Sequence, residues 1–287
     1  MNHLGIVINK KARNSTTFNT YLESFTKAGI QYEVYPCEPD ELETQVKKCV
    51  KKHPIILIGG GDGTVRTAAQ HCANTSTILG VIPLGTLNHF AKESGSPFDA
   101  EELVKAIIEK KTNKIDVAEV NGFIFVNNAS LGFYPSFTRK RDKYMKFYNK
   151  WISYIPSFIE TLKSHKTFDI HLKNETIDYS LKTSFLMISN NLYSYTFPLT
   201  FERKSFKESL LGIYFYKHGK IRLSDILGYF FRRKNKFVLK HSSLPIEVHI
   251  AGVEKITISL DGENIPTQTP LKYKILPKAL TVLKGKA

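Results

Sequence analysis

Two patterns of apolar and polar positions divide the chain, and they change near residue 112. In the first part, short apolar runs alternate with stretches whose apolar residues recur at helical spacing. Such alternation predicts βαβ units around a parallel sheet. The predicted strands are Leu4–Ile8, Tyr32–Tyr35, Ile55–Ile58 and Ile78–Ile82, and the predicted helices are Thr17–Lys27, Asp40–Lys51 and roughly Thr64–Cys72.

Beyond residue 114 the chain contains many short apolar runs and few helical stretches. This pattern is typical of an antiparallel β-sandwich. We therefore predict an α/β domain with a parallel sheet over residues 1–112 and a β-rich domain over 113–287, and allow for the extreme C-terminus packing back on the first domain. The predicted strands are Asp116–Val120, Phe123–Asn127, Phe168–Leu172, Thr183–Ser189, Leu211–Tyr216, Phe237–Leu239, Ile246–Ile250, Ile256–Leu260 and Lys272–Leu276.

One helical pattern interrupts the β-rich part, between Arg139 and Lys166. Its aromatic and aliphatic residues recur at i, i+3, i+4 and i+7, and Pro156 is expected to kink it. The stretch carries eight Lys and Arg residues against two acidic ones. This composition suits a helix that lies on a membrane surface or covers a lipid groove.

The charge of the whole chain points in the same direction. Its 287 residues include 41 Lys and Arg against 26 Asp and Glu, a formal net charge of +15, which favours polyanions or anionic lipid surfaces as partners. The three cysteines, Cys37, Cys49 and Cys72, lack the spacing of a disulfide framework or a zinc site. With neither a signal peptide nor a long apolar run, the sequence predicts a cytosolic protein.

A glycine-rich segment, Gly59-Gly-Gly-Asp-Gly-Thr64, follows the third predicted strand and precedes a helix. Glycines at such a turn let the backbone approach a ligand, and the N–H groups of the helix N-terminus favour phosphate. The spacing matches neither a Walker A loop nor a G-x-G-x-x-G fingerprint. The alternative interpretation is an ordinary tight turn between a strand and a helix.

A second turn, Pro83-Leu-Gly-Thr-Leu-Asn-His-Phe-Ala91, has the same position after the fourth strand. Thr86 or Asn88 is predicted either to cap the following helix or to bind a phosphate. His89 is interpreted as a structural residue, with an acceptor contact as the alternative.

The two turns together resemble the diacylglycerol kinase catalytic-domain family, which includes bacterial lipid kinases and the sphingosine and ceramide kinases. The resemblance extends to Asn9 at the end of the first strand, NNASLGF at 127–133 and LDGE at 260–263. NAD kinases share the glycine-rich loop, but PLGTLNHFA indicates the lipid branch. The resemblance implies an α/β nucleotide domain followed by a lipid-binding β-sandwich domain. It also implies ATP in the cleft, with the nucleotide contacted by Asn9, Gly60, Gly61, Asp62, Gly63, Thr64, Thr86 and Asn88.

The same resemblance makes Asp261 the general base for the lipid hydroxyl. It makes Glu263 a ligand of Mg²⁺ or a contact of the hydroxyl, and Asp62 an assistant to metal or acceptor. Taken alone, Asp261-Gly262 is equally a strong signal for a hairpin turn.

Several positions depart from the family pattern. Arg66 stands where many members carry Asn, and Lys10–Arg13 replaces a Pro-x-x-Gly-like segment. Many bacterial members hold a structural Mg²⁺ with an Asp-x-x-Leu-x-Asp-Gly motif, whose matching positions here are Arg203, Glu208 and Ser209. Because Arg repels Mg²⁺, we expect that site to be absent or weakened.

The leading hypothesis is an ATP- and Mg²⁺-dependent lipid kinase, peripherally associated with membranes and possibly homodimeric. The basic aromatic run Phe230–Lys236 is interpreted either as a solvated loop or as a contact with anionic lipid. The alternatives are a non-catalytic lipid- or nucleotide-binding protein and a kinase of the NAD type with a soluble acceptor. Nucleic-acid binding would explain the charge but has no supporting motif.

Overall fold

The computed structural model describes residues 3–10, 15–85, 88–132, 166–196, 200–203, 205–217, 219–220 and 237–285. The first part of the chain forms a parallel sheet in the order β2-β1-β3-β4, with helices between the strands. The elements are β1 Leu4–Asn9, α1 Ser15–Lys27, β2 Tyr32–Cys37, α2 Leu42–Lys52, β3 Ile55–Gly60, α3 Asp62–Cys72, β4 Ile78–Pro83, α4 His89–Ser94 and α5 Ala100–Ile108.

Helices cover both faces of this sheet, which explains the uninterrupted apolar run of its central strand. All six residues of β3 are buried, as expected for a parallel strand covered on two sides. Apolar residues of α1 and α5, such as Phe25 and Leu103, form the core on one face. Residues of α2 and α3, such as Val46 and Val65, form the core on the other. The three cysteines are free and buried.

The second part of the chain is built from antiparallel strands that pack as two layers. Six strands form one sheet in the order β14-β13-β10-β7-β16-β17, and its inner face packs on strands of the other layer around residues such as Leu131, Ile213 and Val248. The elements are β5 Thr112–Val120, β6 Phe123–Phe125, β7 Asn128–Gly132, β8 Phe168–Lys173, β9 Asp178–Thr183, β10 Phe185–Asn190, β11 Tyr193–Thr196, β12 Thr200–Arg203, β13 Leu211–Tyr216, β14 Phe237–Ser242, β15 Ile246–Ile250, β16 Lys255–Leu260, β17 Glu263–Gln268 and β18 Leu271–Leu283.

The last strand connects the two parts into one sheet. Thr281 and Val282 of β18 pair in parallel with Ile78 and Leu79 of β4, while β18 also pairs antiparallel with β5. The resulting ten-stranded sheet continues through β15 and β8 to β9. The domain boundary near residue 112 stays a prediction. Strand β18 forms hydrogen bonds with β4, which precedes that boundary, and with β5, which follows it.

The predicted fold class, an α/β domain followed by an antiparallel β domain, is confirmed. The strand predicted over Phe123–Asn127 is wrong in one respect: β6 ends at Phe125, and β7 begins at Asn128. The strand predicted over Lys272–Leu276 extends to Leu283, past an irregularity in register between Leu276 and Leu280.

Three predicted features lie outside the described residues. They are the amphipathic stretch Arg139–Lys166, apart from its last residue, the basic run Phe230–Lys236, and Thr86 in the second turn. Among the described residues, the helices are all too short or too polar to span a bilayer.

Candidate active site

The glycine-rich turn joins β3 directly to α3 at the carboxyl edge of the parallel sheet. Gly60 ends the strand, Gly61 is the extended N-cap residue, and Asp62 begins the helix. A Cβ at Gly60 would lie 2.5 Å from Oγ1 of Thr64. The turn therefore needs glycine at Gly60 so that the buried Thr64 can fold back against the strand end.

The second turn packs against the first, backbone to backbone. The Leu84 N–H donates to the Gly60 carbonyl at 3.2 Å, and a Cβ at Gly85 would lie only 2.5 Å from the Gly61 Cα. Glycine at both positions lets the two turns meet with no side chain between them. They form one continuous strip of backbone at the sheet edge.

Asp62 stabilises this arrangement, because its side chain caps α4, the helix that follows the second turn. Its Oδ1 accepts from the Phe90 N–H at 2.9 Å and its Oδ2 from the His89 N–H at 3.2 Å. The predicted cap by Asn88 is absent, because Asn88 instead donates to the carbonyls of Pro83 and Gly85. Asn88 therefore shapes the turn, in the left-handed conformation at φ 49°, while the first turn supplies the cap.

Asn9 lies at the same edge of the sheet. It is the last residue of β1, and its neighbour Ile8 is paired with Gly59 of β3. Adjoining strand ends and turns thus carry Asn9, Gly60, Gly61, Asp62, Gly63, Thr64 and Asn88. Their contact with a nucleotide stays a prediction.

Asp261 reaches the second part of the site from the hairpin between β16 and β17. Leu260 pairs with Glu263, so Asp261 and Gly262 form the two-residue turn, with positive φ at both. The hairpin interpretation of this sequence is therefore confirmed. The Asp261 carboxylate points back onto the segment between β6 and β7.

Three backbone donors hold that carboxylate. Its Oδ2 accepts from the Val126 N–H at 2.8 Å, and its Oδ1 accepts from the Asn127 and Asn128 N–H groups at 2.8 and 2.9 Å. We name residues 126–128 the donor turn. The donor turn is the physical reason why the strand predicted over Phe123–Asn127 breaks after Phe125: its N–H groups face Asp261 instead of a neighbouring strand.

The environment of Asp261 makes it a stronger base than an exposed aspartate. Burial raises the pKa of Asp261 to about 6, although the three N–H donors and the nearby Arg66 act to lower it. A carboxylate offers about four lone-pair sites, of which the donor turn fills three. At neutral pH the group is therefore largely ionised and retains one site for a hydroxyl.

Glu263 and Arg66 connect this hairpin to the glycine-rich turn. Arg66 Nη2 donates to Glu263 Oε2 at 2.8 Å, and the Arg66 side chain is 11 % exposed against 47 % for Glu263. A Cβ at Gly63 would lie 2.2 Å from Glu263 Oε1. The Glu263 carboxylate thus lies against the first turn of α3.

The positions of the family's structural metal motif are occupied differently here. Arg203 is buried and forms an ion pair with Glu93 at 3.1 Å. Glu208 accepts from the Leu192 N–H, and the Ser209 N–H donates to the buried Asp116. The position that the sequence analysis matched to the first carboxylate of the motif thus holds a buried guanidinium.

Sequence reasoning missed three of these relationships: the Arg66–Glu263 pair, the donor turn and the contacts of Arg203. Two of the three residues of the donor turn, Asn127 and Asn128, belong to the segment NNASLGF that contributes to the resemblance, but the local pattern favours a continuous strand. The sequence shows Arg66 only as a departure from the family pattern. Its partner is 197 residues away, beyond the reach of any local signal.

Comparison with known families tests the resemblance. Residues 3–120 match the family model described as the diacylglycerol kinase catalytic domain. The resemblance inferred from the motifs is therefore confirmed for this part of the chain.

Two relatives illustrate the extent of the similarity. The uncharacterized protein sll0036 of Synechocystis sp. is 28% identical over 236 residues, which cover 79% of this chain and 54% of that protein. The diacylglycerol kinase of Bacillus subtilis is 28% identical over 159 residues, which cover 53% of this chain and 52% of that enzyme. In both cases the matched segment spans about half the length of the relative.

Solved structures share the fold over nearly the whole chain. A diacylglycerol kinase from Bacillus anthracis str. Sterne superposes with a TM-score of 0.69 at 17% identity, covering 99% of this chain and 97% of that one. A second protein of the same organism gives a TM-score of 0.76 at 21% identity, with 99% and 98% covered. At these identities the comparison establishes the fold.

Proposed function

We propose that this protein is an ATP-dependent lipid kinase that transfers the γ-phosphate to a hydroxyl group of a membrane lipid. The observation that carries the proposal is the meeting of two separate motifs. Glu263, two residues from the oriented carboxylate of Asp261, lies against Gly63 of the glycine-rich turn. A phosphate donor and a base for the acceptor hydroxyl are therefore within reach of each other.

The residues of the two turns are of the kind that binds the phosphates of a nucleotide. Phosphoryl transfer requires positioning and charge neutralisation more than covalent chemistry. The glycine-rich turn lies at the N-terminus of α3, whose backbone N–H groups would favour phosphate oxygens. Arg66 adds a positive charge beside the turn, and its buried Nε has no hydrogen-bond partner among the residues that the structure describes.

Asp261 is assigned as the general base. Its carboxylate is fixed by the donor turn, and its remaining lone-pair site would accept the proton of the lipid hydroxyl as the oxygen attacks. A positioned base of this kind contributes roughly 10²–10⁴-fold to a rate. Asp62, whose two oxygens accept backbone N–H groups of α4, is assigned to holding the turns together rather than to the transfer itself.

Glu263 is proposed as a ligand of a magnesium ion beside the glycine-rich turn. It would bind the ion through Oε1, because Oε2 accepts from Arg66 and Mg²⁺ takes only one or two carboxylates alongside phosphate oxygens and water. Since the Arg66 guanidinium beside Glu263 repels a cation, the negative charge of the phosphate oxygens is needed to hold the ion there. Such an ion supplies neutralisation of the charge on the transferred phosphoryl group. The contribution of the chain is to hold Glu263 and Arg66 at that place.

Access to a lipid acceptor is proposed to occur at an anionic membrane surface. The net charge of +15 attracts the protein to such surfaces. Peripheral association and a homodimer remain proposals that rest on charge and on the family resemblance.

The test is a transfer assay with γ-labelled ATP, Mg²⁺ and mixed micelles that carry single lipids: diacylglycerol, phosphatidylglycerol, a sphingoid base or ceramide. We expect label in one lipid fraction and a loss of about 100-fold or more in Asp261→Asn. Asp178→Asn is the matched control, since Asp178 is exposed on β9 and pairs only with His171 in the described network.

Asp261→Asn also turns an amide N–H₂ toward backbone donors, which costs about 1–3 kcal/mol of stability, so thermal unfolding is followed in parallel. Label in no lipid, with ATP still bound, would contradict the lipid-kinase proposal. That result would favour a binding protein or, if label enters a soluble hydroxyl compound, a kinase of the NAD type.

A further inference from the structure

Arg203 is a buried cation that has no role in the proposed transfer mechanism. Its side chain has no exposed surface, and removing a guanidinium from water is unfavourable unless hydrogen bonds replace the water. A planar group with five N–H donors can, however, bind acceptors from several segments at once. Its partners therefore indicate what it holds together.

Two of those partners lie in the donor turn. Arg203 Nη1 donates to the Val126 carbonyl at 2.7 Å, and Nη2 donates to Asn127 Oδ1 at 3.1 Å. Asn190 Nδ2 also donates to the Val126 carbonyl, at 3.0 Å. The Val126 residue is thus fixed on both sides: its carbonyl by Arg203 and Asn190, and its N–H by Asp261.

The other partners anchor the guanidinium itself. Nη2 also donates to the Tyr193 hydroxyl of β11, and the guanidinium carbon lies 4.0 Å from the centre of the Phe206 ring and 4.8 Å from that of Tyr193. These contacts restrict the plane of the guanidinium. The two acceptors in the donor turn lie in different directions, so the guanidinium can bind both only if its plane is fixed.

The ion pair with Glu93 extends the connection to the nucleotide side. Glu93 belongs to α4, whose N-terminus is capped by Asp62 of the glycine-rich turn. A continuous path of contacts therefore runs from the glycine-rich turn through α4 and Arg203 to the donor turn and Asp261. The path links the proposed phosphate site to the proposed base.

We infer that Arg203 is a positioning residue, which fixes the donor turn and so aims the Asp261 carboxylate at the acceptor hydroxyl. The inference rests on the proposed role of Asp261, but its structural part stands apart from any activity. Arg203 contacts Val126 and Asn127 and acts on Asp261 through them.

The test measures amide hydrogen exchange at residues 126, 127 and 128 by NMR in the full-length protein. In Arg203→Met we expect these amides to exchange about tenfold faster, the effect of losing one ordinary hydrogen bond, while amides of β1 and β3 stay close to wild type. Asp261→Asn removes an acceptor of the same amides and sets the upper limit. Arg203→Lys, which keeps the charge but not the planar fork, should restore part of the protection.

Kinetics provide the second measurement. With ATP and the accepted lipid, Arg203→Met should lower kcat with little change in the KM for ATP, and Arg203→Lys should recover part of kcat. If Arg203→Met does not fold, Asn127→Ala removes one contact on the side of the donor turn and is expected to show the same local effect at smaller size.

A folded Arg203→Met protein with wild-type exchange at 126–128 would overturn the inference. So would equal acceleration of all amides, because that result indicates general stabilisation. If the wild type transfers no phosphate to any lipid, the kinase proposal fails by itself. The exchange experiment then still decides whether Arg203 holds the donor turn.

Discussion

Arg66 donates to Glu263 across 2.8 Å, and this single ion pair joins the helix of the glycine-rich turn to the hairpin that carries Asp261. The arginine is largely buried and the glutamate half exposed. Because the guanidinium is largely buried, loss of Glu263 would leave a buried cation without this partner. The pair therefore fixes both the placement of the hairpin and the charge of the site.

The first prediction concerns the pH dependence of transfer. The raised pKa of Asp261, about 6, means that the base becomes protonated as the pH falls through that value. We expect kcat/KM to be constant above pH 7 and to fall tenfold per pH unit below about 6, the acid limb of a free-enzyme group. A limb near pH 4, the ordinary range of an exposed Asp, would remove Asp261 from the role of base.

The second prediction is that Arg66→Met shifts the acid limb of the pH profile of kcat/KM to higher pH. Arg66 favours the ionised form of Asp261 and lowers its pKa, so its removal raises the pKa and the enzyme loses activity at a higher pH. Arg66→Lys keeps the charge and should leave the limb close to that of the wild type. The prediction is checked by measuring kcat/KM against pH for the wild type, Arg66→Met and Arg66→Lys. Acid limbs at the same pH in all three proteins would contradict it.

The third prediction separates activity from stability at Gly63. A Cβ at this position would meet Glu263 Oε1 at 2.2 Å, so Gly63→Ala should push the carboxylate away from the glycine-rich turn and lower kcat. Alanine in a helix is favoured over glycine by about 1 kcal/mol, so the melting temperature should not fall.

The control for Gly63 is a double-mutant cycle with Glu263→Ala. If the alanine acts through Glu263, the double variant should be no less active than Glu263→Ala alone. Additive losses would indicate that Gly63 acts on the nucleotide instead.

The fourth prediction concerns Asp62 as a cap. Asp62→Ala removes the acceptor of two N–H groups at the start of α4 and should cost about 0.5–2 kcal/mol of stability. The second turn then loses its attachment to the first, so the KM for ATP should rise. Asp62→Asn keeps one acceptor oxygen, so its stability and its KM for ATP should lie between those of the wild type and Asp62→Ala. Denaturant unfolding and the KM for ATP test both effects, and a variant with altered kcat alone would favour a direct role in transfer.

The fifth prediction concerns the membrane. Arg232, Arg233 and Lys234 belong to the basic aromatic run, and each cation near an anionic surface contributes about 1 kcal/mol to binding. Replacing the three by glutamate should weaken sedimentation with phosphatidylserine-containing vesicles, more strongly at low salt. Unchanged sedimentation would assign the run to a solvated loop.

Much of the local architecture follows from the sequence. The apolar runs predicted the four parallel strands, and the strand before and helix after Gly59–Thr64 located the glycine-rich turn correctly. Asp261-Gly262 predicted a hairpin, and a hairpin is present. These features depend on side-chain periodicity and backbone conformation over a few residues, which neighbouring sequence specifies.

The tertiary structure alone decided which of these features meet. The bond from Val126 to Asp261 joins residues 135 positions apart, and that from Arg66 to Glu263 joins residues 197 apart. The register of β16 with β7 and the pairing of β18 with β4 bring them together. Such pairings depend on the burial of whole sheet faces and not on local propensity. The sequence by itself therefore determined the parts of the site, and only the packing of the two sheets determined that Asp261, Glu263 and the glycine-rich turn form one.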